Sequence, residues 1–178
     1  MVKARQTVRK VKPVQVKSNR PGWVSLVVSP SLESKEKVAQ CLRPHLTDLP
    51  SELTDGLLLA VDELVGNAME HGCRLEPNLS VDVSLIRTAR MVLIYVRDDG
   101  AGFSIGDLGH AAVNNPPDNP LRHTELRSEL GLRPGGFGIM LAKQVADELI
   151  YNEYGNAVIL LKYLDGMVSS PDSLLPGF

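Results

Sequence analysis

The sequence predicts an α+β domain, because helical and strand periodicities follow one another along the chain. Residues 56–72 carry apolar side chains at three- and four-residue steps, which is the pattern of a helix with one buried face. Residues 79–87 alternate between apolar and polar side chains, which predicts a half-buried strand, and residues 91–97 predict its antiparallel partner. Residues 149–154 and 157–164 predict a second hairpin around Gly155 and Asn156.

The remaining elements are bounded by proline, serine and glycine. A strand is predicted over residues 23–29, and Ser31 is a suitable N-cap for a helix that reaches Leu46. Residues 48–51 form a turn with two candidate caps for the next helix. A last helix is predicted over residues 139–149, with its N-terminus at a run of glycines.

Composition indicates one soluble globular domain. The chain has 178 residues, of which 43% are hydrophobic and 22% charged. No apolar run approaches the roughly 20 residues of a membrane span, and no signal peptide opens the chain. Cys41 and Cys73 give neither a disulfide framework nor a metal-binding spacing, so we expect a reducing, cytoplasmic location and no membrane partner.

Charge is distributed unevenly along the chain. Residues 1–20 carry seven basic side chains and no acidic one, whereas the rest carries 12 basic and 21 acidic side chains. Pro13 allows this basic N-terminal arm an edge strand at best. A solvated terminus is one interpretation of the arm, and contact with nucleic acid or an acidic partner is the other.

Glu63, Asn67 and His71 are spaced by four residues and predict a polar stripe beside the apolar face of the long helix. An amide oxygen suits Mg²⁺, and a glutamate can accept a proton from a hydroxyl group or water. Such a stripe is also what an ordinary solvated helix face looks like. Gly72 is predicted to end the helix.

Two glycine pairs follow. The strand that ends at Arg97 leads into Asp98-Asp-Gly100-Ala-Gly102, and a second pair, Gly136-x-Gly138, opens the last helix. Glycines let a backbone approach a ligand closely, and free N–H groups at a helix start favour phosphate. The pairs match neither a Walker loop nor a Rossmann fingerprint. Periodicity is weak between them, although a short helix is expected near residues 121–130.

The order of the three motifs resembles the ATPase domain of the GHKL superfamily (gyrase, histidine kinases, MutL), which has the Bergerat fold. The resemblance covers roughly residues 23–164. It implies a two-layer α/β sandwich with a mixed, mostly antiparallel sheet covered on one face by helices. The implied domain spans residues 21–164 with an ATP lid at about 103–134, between the basic arm and a C-terminal tail at 165–178.

The resemblance also implies roles for individual residues. Glu63 corresponds to the catalytic base and Asn67 to the Mg²⁺ ligand, and Asp98 corresponds to the carboxylate that accepts the adenine amino group. His71 is expected to cap or pack, and Asp99 to be solvated. The other expected nucleotide-binding residues are Gly100 and Gly102 beside the base, Gly135, Gly136, Phe137 and Gly138 at the phosphates, and Arg133 at the terminal phosphate.

Within the superfamily the chain is similar to the anti-sigma-factor serine-protein kinases. Its sequence predicts neither a phospho-accepting helix hairpin nor a transducer domain, and residues 133–149 resemble that subfamily's second glycine box. The similarity implies ATP and Mg²⁺ as cofactors, a sigma factor and an anti-anti-sigma protein as partners, and a homodimer. One alternative is a non-catalytic, nucleotide-sensing module that sequesters a partner. Nucleic-acid binding through the basic arm is a third and weaker interpretation.

Overall fold

The computed structural model describes residues 13–102, 114–129 and 137–165. These residues form one six-stranded sheet and, in the described ranges, four α-helices. None of the described helices combines the length and the apolar composition that a membrane span requires. The elements are β1 (Val14–Arg20), β2 (Trp23–Val28), α1 (Leu32–Leu42), α2 (Ser51–Asn67), β3 (Val81–Arg87), β4 (Met91–Asp98), α3 (Arg122–Glu129), α4 (Gly138–Val145), β5 (Glu148–Tyr151) and β6 (Ala157–Tyr163).

The strand order is β1-β2-β3-β4-β6-β5, and each neighbouring pair in the described sheet is antiparallel. The predicted two-layer α+β architecture is confirmed, and the mostly antiparallel sheet is antiparallel in all its described pairs. β1 is an edge strand, as Pro13 requires, so part of the basic arm belongs to the sheet. In the centre, Val81 of β3 pairs with Asp98 of β4, which places Asp98 at the end of a central strand.

The core lies between one face of the sheet and the helices. The alternation predicted for β3 is confirmed, because Val81, Val83 and Leu85 are fully buried. Each such side chain contributes about 1.5–3 kcal/mol when it leaves water. α2 is the central helix and packs against α1, α4 and β4. Its predicted apolar stripe is buried, namely Leu57, Ala60, Val61, Leu64, Val65 and, just beyond the helix, Ala68.

Two helix boundaries in the first half differ from the prediction. Ser31 caps α1 as expected, since its Oγ accepts a hydrogen bond from the Ser34 N–H at 3.2 Å. α1 ends at Leu42 rather than Leu46, because Pro44 has no N–H to continue the helical hydrogen bonds and the chain goes on as a 3₁₀ turn. Among the described residues no side chain caps α2, whose N-cap is Pro50.

The second half of the chain contains the predicted α3 and the predicted hairpin of β5 and β6. α4 ends at Val145 instead of Leu149, because Ala146 is already extended and Glu148 begins β5. The apolar spacing of residues 145–149 therefore reflects half-buried side chains at the start of a strand rather than a last helical turn. Gly155 in the hairpin loop has φ +68°, a left-handed conformation that favours glycine.

Candidate nucleotide-binding site

The C-terminal end of α2 changes its helical pitch. The α-helix stops at Asn67, and residues 68–72 form a π turn in which the Cys73 N–H bonds to the Ala68 carbonyl at 2.8 Å. Glu63 and Asn67 therefore lie one α-helical turn apart, as predicted. His71 does not continue their stripe, because a π turn holds more residues than an α turn. Single π turns in helices are frequent at functional sites.

The packing at the end of the π turn requires a residue without a side chain, and Gly72 provides it. A Cβ atom there would overlap the carboxyl group of Asp98. Gly72 lies within the π turn and does not end the helix as predicted, and the left-handed residues of this segment are Arg74 and Leu75, with φ of 51° and 58°. A Cβ atom at Gly100 would in turn overlap the Gly72 carbonyl oxygen. The end of the polar helix and the first glycine motif thus pack directly on each other.

The Asp98 carboxylate is a hydrogen-bond acceptor that is almost completely shielded from solvent. It is only 2% exposed, and its Oδ1 accepts a hydrogen bond from the Gly100 N–H at 2.9 Å. Burial raises the pKa of the Asp98 carboxyl, and the Gly100 hydrogen bond partly opposes this rise. The carboxylate receives no hydrogen bond from the side chain of another described residue. Apart from backbone N–H groups, this carboxylate could therefore accept a hydrogen bond from a ligand donor.

A small cavity of about 10 Å³ adjoins Asp98. Its apolar lining comes from α2, the π turn and β6, with Leu64, Ala68 and Val158 among its residues, and Asn156 adds an amide. This volume admits about one water molecule, so a purine base would have to widen the gap between the π turn and the β5–β6 hairpin. An acceptor at the edge of an apolar slot suits a planar base that carries an amino group.

Glu63 lies against the start of α4. Gly138 is the first residue of that helix and is buried, and a Cβ atom there would overlap Oε2 of Glu63. The free N–H groups and the dipole at a helix N-terminus favour negative charge. The contact brings the polar helix and the second glycine motif together, so an anion bound at the start of α4 would be adjacent to the Glu63 carboxylate.

Asn67 is half-buried, and its amide makes no hydrogen bond to another residue in the described ranges. The same ranges contain no group of three or more His, Cys, Asp or Glu side chains that could hold a metal ion. A divalent cation here would therefore be held by the Asn67 amide oxygen together with ligand oxygens and water. That donor set suits Mg²⁺, which usually keeps several waters and binds substrate phosphates.

The β5–β6 hairpin supports the first glycine motif from the other side. Gly102 has φ +79°, and a Cβ atom there would overlap the Tyr154 carbonyl oxygen. The Asn156 amide donates to the carbonyl oxygens of Asp98 and Gly100, at 3.5 Å each. The sequence predicts Asn156 only as a turn residue, and nothing in the local pattern signals its contact with residues 98–100.

Asp99 is exposed but is not merely solvated. One of its carboxylate oxygens accepts hydrogen bonds from Oγ and N–H of Ser80, at 2.6 and 3.1 Å. Asp98 and Asp99 are adjacent in sequence but have different surroundings, because successive residues point to opposite faces of the sheet. Only Asp98 faces the helices.

Comparison with known proteins agrees with this geometry. Residues 28–162, about three quarters of the chain, match the family model of the histidine kinase-like ATPase domain. The chain belongs to this family. It is also similar to the serine-protein kinase RsbW of Oceanobacillus iheyensis, with 25% identity over 114 residues that cover 64% of this chain and 67% of the relative. The superfamily predicted from the three motifs is therefore confirmed.

The described part of this histidine kinase-like ATPase domain has two clusters of predicted site residues, joined by α2. Asp98, Gly100 and Gly102 form one, which adjoins the π turn and the hairpin, and Glu63 and Gly138 form the other. Phe137 precedes α4 and is 36% exposed. Arg133, Gly135 and Gly136 lie outside the described residues. The arrangement can hold an amino-bearing ring at one end and an anion beside a carboxylate at the other.

Proposed function

We propose that this histidine kinase-like ATPase domain is a protein serine/threonine kinase that uses ATP and Mg²⁺, and that it also acts as an anti-sigma factor. Its phosphoacceptor would be an anti-anti-sigma protein. The main support is the contact of Glu63 with Gly138, which puts a carboxylate beside the helix start that suits phosphate. The similarity to a protein named as a serine-protein kinase supports the same reaction class.

The adenine end is assigned to Asp98. Its second carboxylate oxygen would accept the amino group of the base, while Gly100 and Gly102 keep the backbone close to the ring. The raised pKa of this carboxyl follows from the exclusion of water, which also strengthens a hydrogen bond made to it. A base with a carbonyl group at this position would place an acceptor against an acceptor, which favours adenine over guanine.

The phosphate end is assigned to the start of α4, where Phe137 and Gly138 lie, with Gly135, Gly136 and Arg133 as further proposed contacts. Asn67 would provide the protein ligand of Mg²⁺. The metal ion supplies neutralisation of the phosphate charge. Glu63 would accept the proton of the target serine or threonine hydroxyl as its oxygen attacks the terminal phosphorus, while the bond from that phosphorus to the bridging oxygen breaks and ADP leaves.

Replacement of Glu63 by glutamine tests this assignment. Glu63→Gln keeps the shape and the contact with Gly138 but removes the base, so transfer should fall by about 10²- to 10⁴-fold while ATP affinity stays within about twofold. The measurement is transfer of labelled phosphate to the candidate anti-anti-sigma protein, with calorimetry for ATP. Asp62→Asn is the matched control, since Asp62 is the neighbouring acid and pairs with Lys35 at 2.9 Å instead.

Two outcomes separate the rival functions. A Glu63→Gln variant that transfers phosphate at the normal rate would refute the base assignment. A wild-type protein that binds ATP and sequesters its sigma factor without any transfer would replace the kinase by the nucleotide-sensing binding module.

The partners and location are part of the same proposal. We place the protein in the cytoplasm as a homodimer that holds a sigma factor, and both cysteines are free thiols in the described residues, which suits a reducing compartment. Light scattering of the purified protein with and without the sigma factor gives the stoichiometry. A strictly monomeric complex would refute the dimer.

A further inference from the structure

α3 is attached to the start of α4 by two aromatic rings. The rings of His123 and Phe137 meet edge to face, with centroids 4.4 Å apart and an interplanar angle of 88°. His123 is 0% exposed, and among the α3 side chains that the structure describes it is the only one that is fully buried. The imidazole is therefore the fully buried contact of this mostly polar helix among its described side chains. We call Asn115, His123 and Phe137 the α3 latch.

Asn115 fixes the orientation and the protonation state of that imidazole. The backbone N–H of His123 donates a hydrogen bond to Asn115 Oδ1 at 2.9 Å. The amide nitrogen of Asn115 therefore faces the imidazole ring. That nitrogen donates to the Pro120 carbonyl at 2.5 Å and lies 2.6 Å from His123 Nδ1. Because an amide NH₂ group only donates, Nδ1 must accept. The latch thus requires a neutral imidazole that carries its proton on Nε2.

The latch ends at the residue that sets the first turn of α4. Phe137 is the N-cap of α4, and its carbonyl oxygen accepts the hydrogen bond of the Leu141 N–H at 2.8 Å. The next residue, Gly138, is the one packed on Glu63. A continuous series of contacts therefore runs from Asn115 through His123 and Phe137 to Glu63. If the backbone of Phe137 shifted on loss of the His123 contact, the direction of the free N–H groups at this helix start would change with it.

We propose that His123 is a positioning residue for the terminal phosphate of the bound nucleotide. Its neutral imidazole, oriented by Asn115, packs on Phe137 and holds the first turn of α4 in the orientation that the phosphate and Glu63 require. This inference rests on the proposed nucleotide site. Because the latch touches the phosphate end and not Asp98, its loss weakens binding of ATP more than binding of ADP.

Three variants at His123 separate the ring contact from the hydrogen bond. His123→Ala removes both, His123→Phe keeps a ring but loses the Nδ1 acceptor, and His123→Asn keeps an acceptor near the Nδ1 position but loses the ring. Loss of an edge-to-face pair corresponds to about two- to tenfold in an equilibrium constant. We expect the ratio of the ADP to the ATP dissociation constant to fall by that factor in His123→Ala and His123→Asn, and by less in His123→Phe.

A double-mutant cycle tests whether the latch acts as a unit. Asn115→Ala should lower the same ratio, and the double variant Asn115→Ala/His123→Ala should lower it no further than His123→Ala alone. Glu125→Ala, on the exposed side of α3, is the control and should leave the ratio unchanged. Equal losses of ATP and ADP affinity together with a lower melting temperature would overturn the proposal in favour of a merely structural role.

Hydrogen exchange tests whether the α3 latch stabilises the start of α4, and this test needs neither nucleotide nor phosphate transfer. The Leu141 amide reports on the first turn of α4, so it should exchange about two- to tenfold faster in His123→Ala than in the wild type, while amides of β3 and β4 keep their protection. Unchanged exchange at Leu141 overturns the proposal even if ATP binds normally. A failure of the wild type to bind ATP, with faster exchange in the variant, instead refutes the nucleotide site and leaves the contact with α4 established.

Discussion

Replacement of Asp98 by asparagine should weaken the binding of nucleotide without weakening the stability of the folded protein. Oδ1 of Asp98 is occupied by the Gly100 N–H at 2.9 Å, and the other oxygen is the one offered to a ligand. An asparagine has one acceptor atom, which must stay on the Gly100 N–H, so its NH₂ group takes the place of the second oxygen. A donor would then face the amino group of adenine.

The size of the loss follows from the hydrogen bond that disappears. A hydrogen bond to a charged group is worth about 1.5–3 kcal/mol, which corresponds to about 10- to 150-fold in the dissociation constant of ATP. Stability should change in the opposite direction. Burial raises the pKa of the Asp98 carboxyl, so the folded protein binds more protons than the unfolded chain in the interval above the ordinary carboxyl pKa. The contribution of Asp98 to stability therefore falls as pH rises through that interval.

Calorimetry with ATP and thermal unfolding at pH 4 and pH 7 measure both effects. The Asp98→Asn variant should bind ATP more weakly, and its melting temperature relative to the wild type should be higher at pH 7 than at pH 4. Asp99→Asn is the matched control, since Asp99 is exposed and bonds Ser80 instead. An unchanged ATP dissociation constant in Asp98→Asn, or an equal loss in both variants, would refute the assignment of the adenine end.

Two further variants test one ion pair away from the site and one glycine within it. Asp48→Ala removes the one carboxylate that pairs with Arg87 among the described residues, and the Arg87 side chain is only 2% exposed. The change should cost about 3 kcal/mol of unfolding free energy in urea titrations, against less than about 1 kcal/mol for Asp55→Ala at an exposed pair. Gly102→Ala places a β-carbon at φ +79° against the Tyr154 carbonyl, so it should lose about 1–2 kcal/mol and weaken ATP binding; equal stability would contradict the contact.

The elements with strong periodicity were predictable from the sequence alone. The stripe of α2, the alternation of β3 and the hairpin around Gly155 follow from local spacing, and the structure confirms each of them. The predictions are wrong at helix boundaries that are set by contacts with residues distant in the sequence. Asp48 was a candidate cap for α2, but its carboxylate binds Arg87 at 2.5 Å, because a buried guanidinium requires a partner more than a helix end on the surface does.

The candidate site was predictable as a set of motifs but not as a set of contacts. Spacing placed Glu63 and Asn67 on one helix face, yet no local pattern shows that Gly138 packs on Glu63 or that Gly72 packs on Asp98. The π turn is also not predictable from the sequence, since the composition of residues 68–72 suits a regular α-helix equally well. Its extra residue is compatible with the close packing of Gly72, which is a tertiary requirement and leaves no periodic signal.

The two ends of the site constrain each other through α2. Glu63 contacts the start of α4, and Gly72, nine residues further along the same chain segment, contacts Asp98. At about 1.5 Å per residue in the α-helical part, and less in the π turn, these contacts are at most about 13 Å apart along the axis. An inorganic anion would reach only the first and a free base only the second, so a ligand that engages both must be extended, with a hydrogen-bond donor at one end and negative charge at the other. A nucleoside triphosphate with an amino-bearing base meets these conditions, and the rigidity of a helix buried on several sides makes the distance between the two ends a fixed property of the domain.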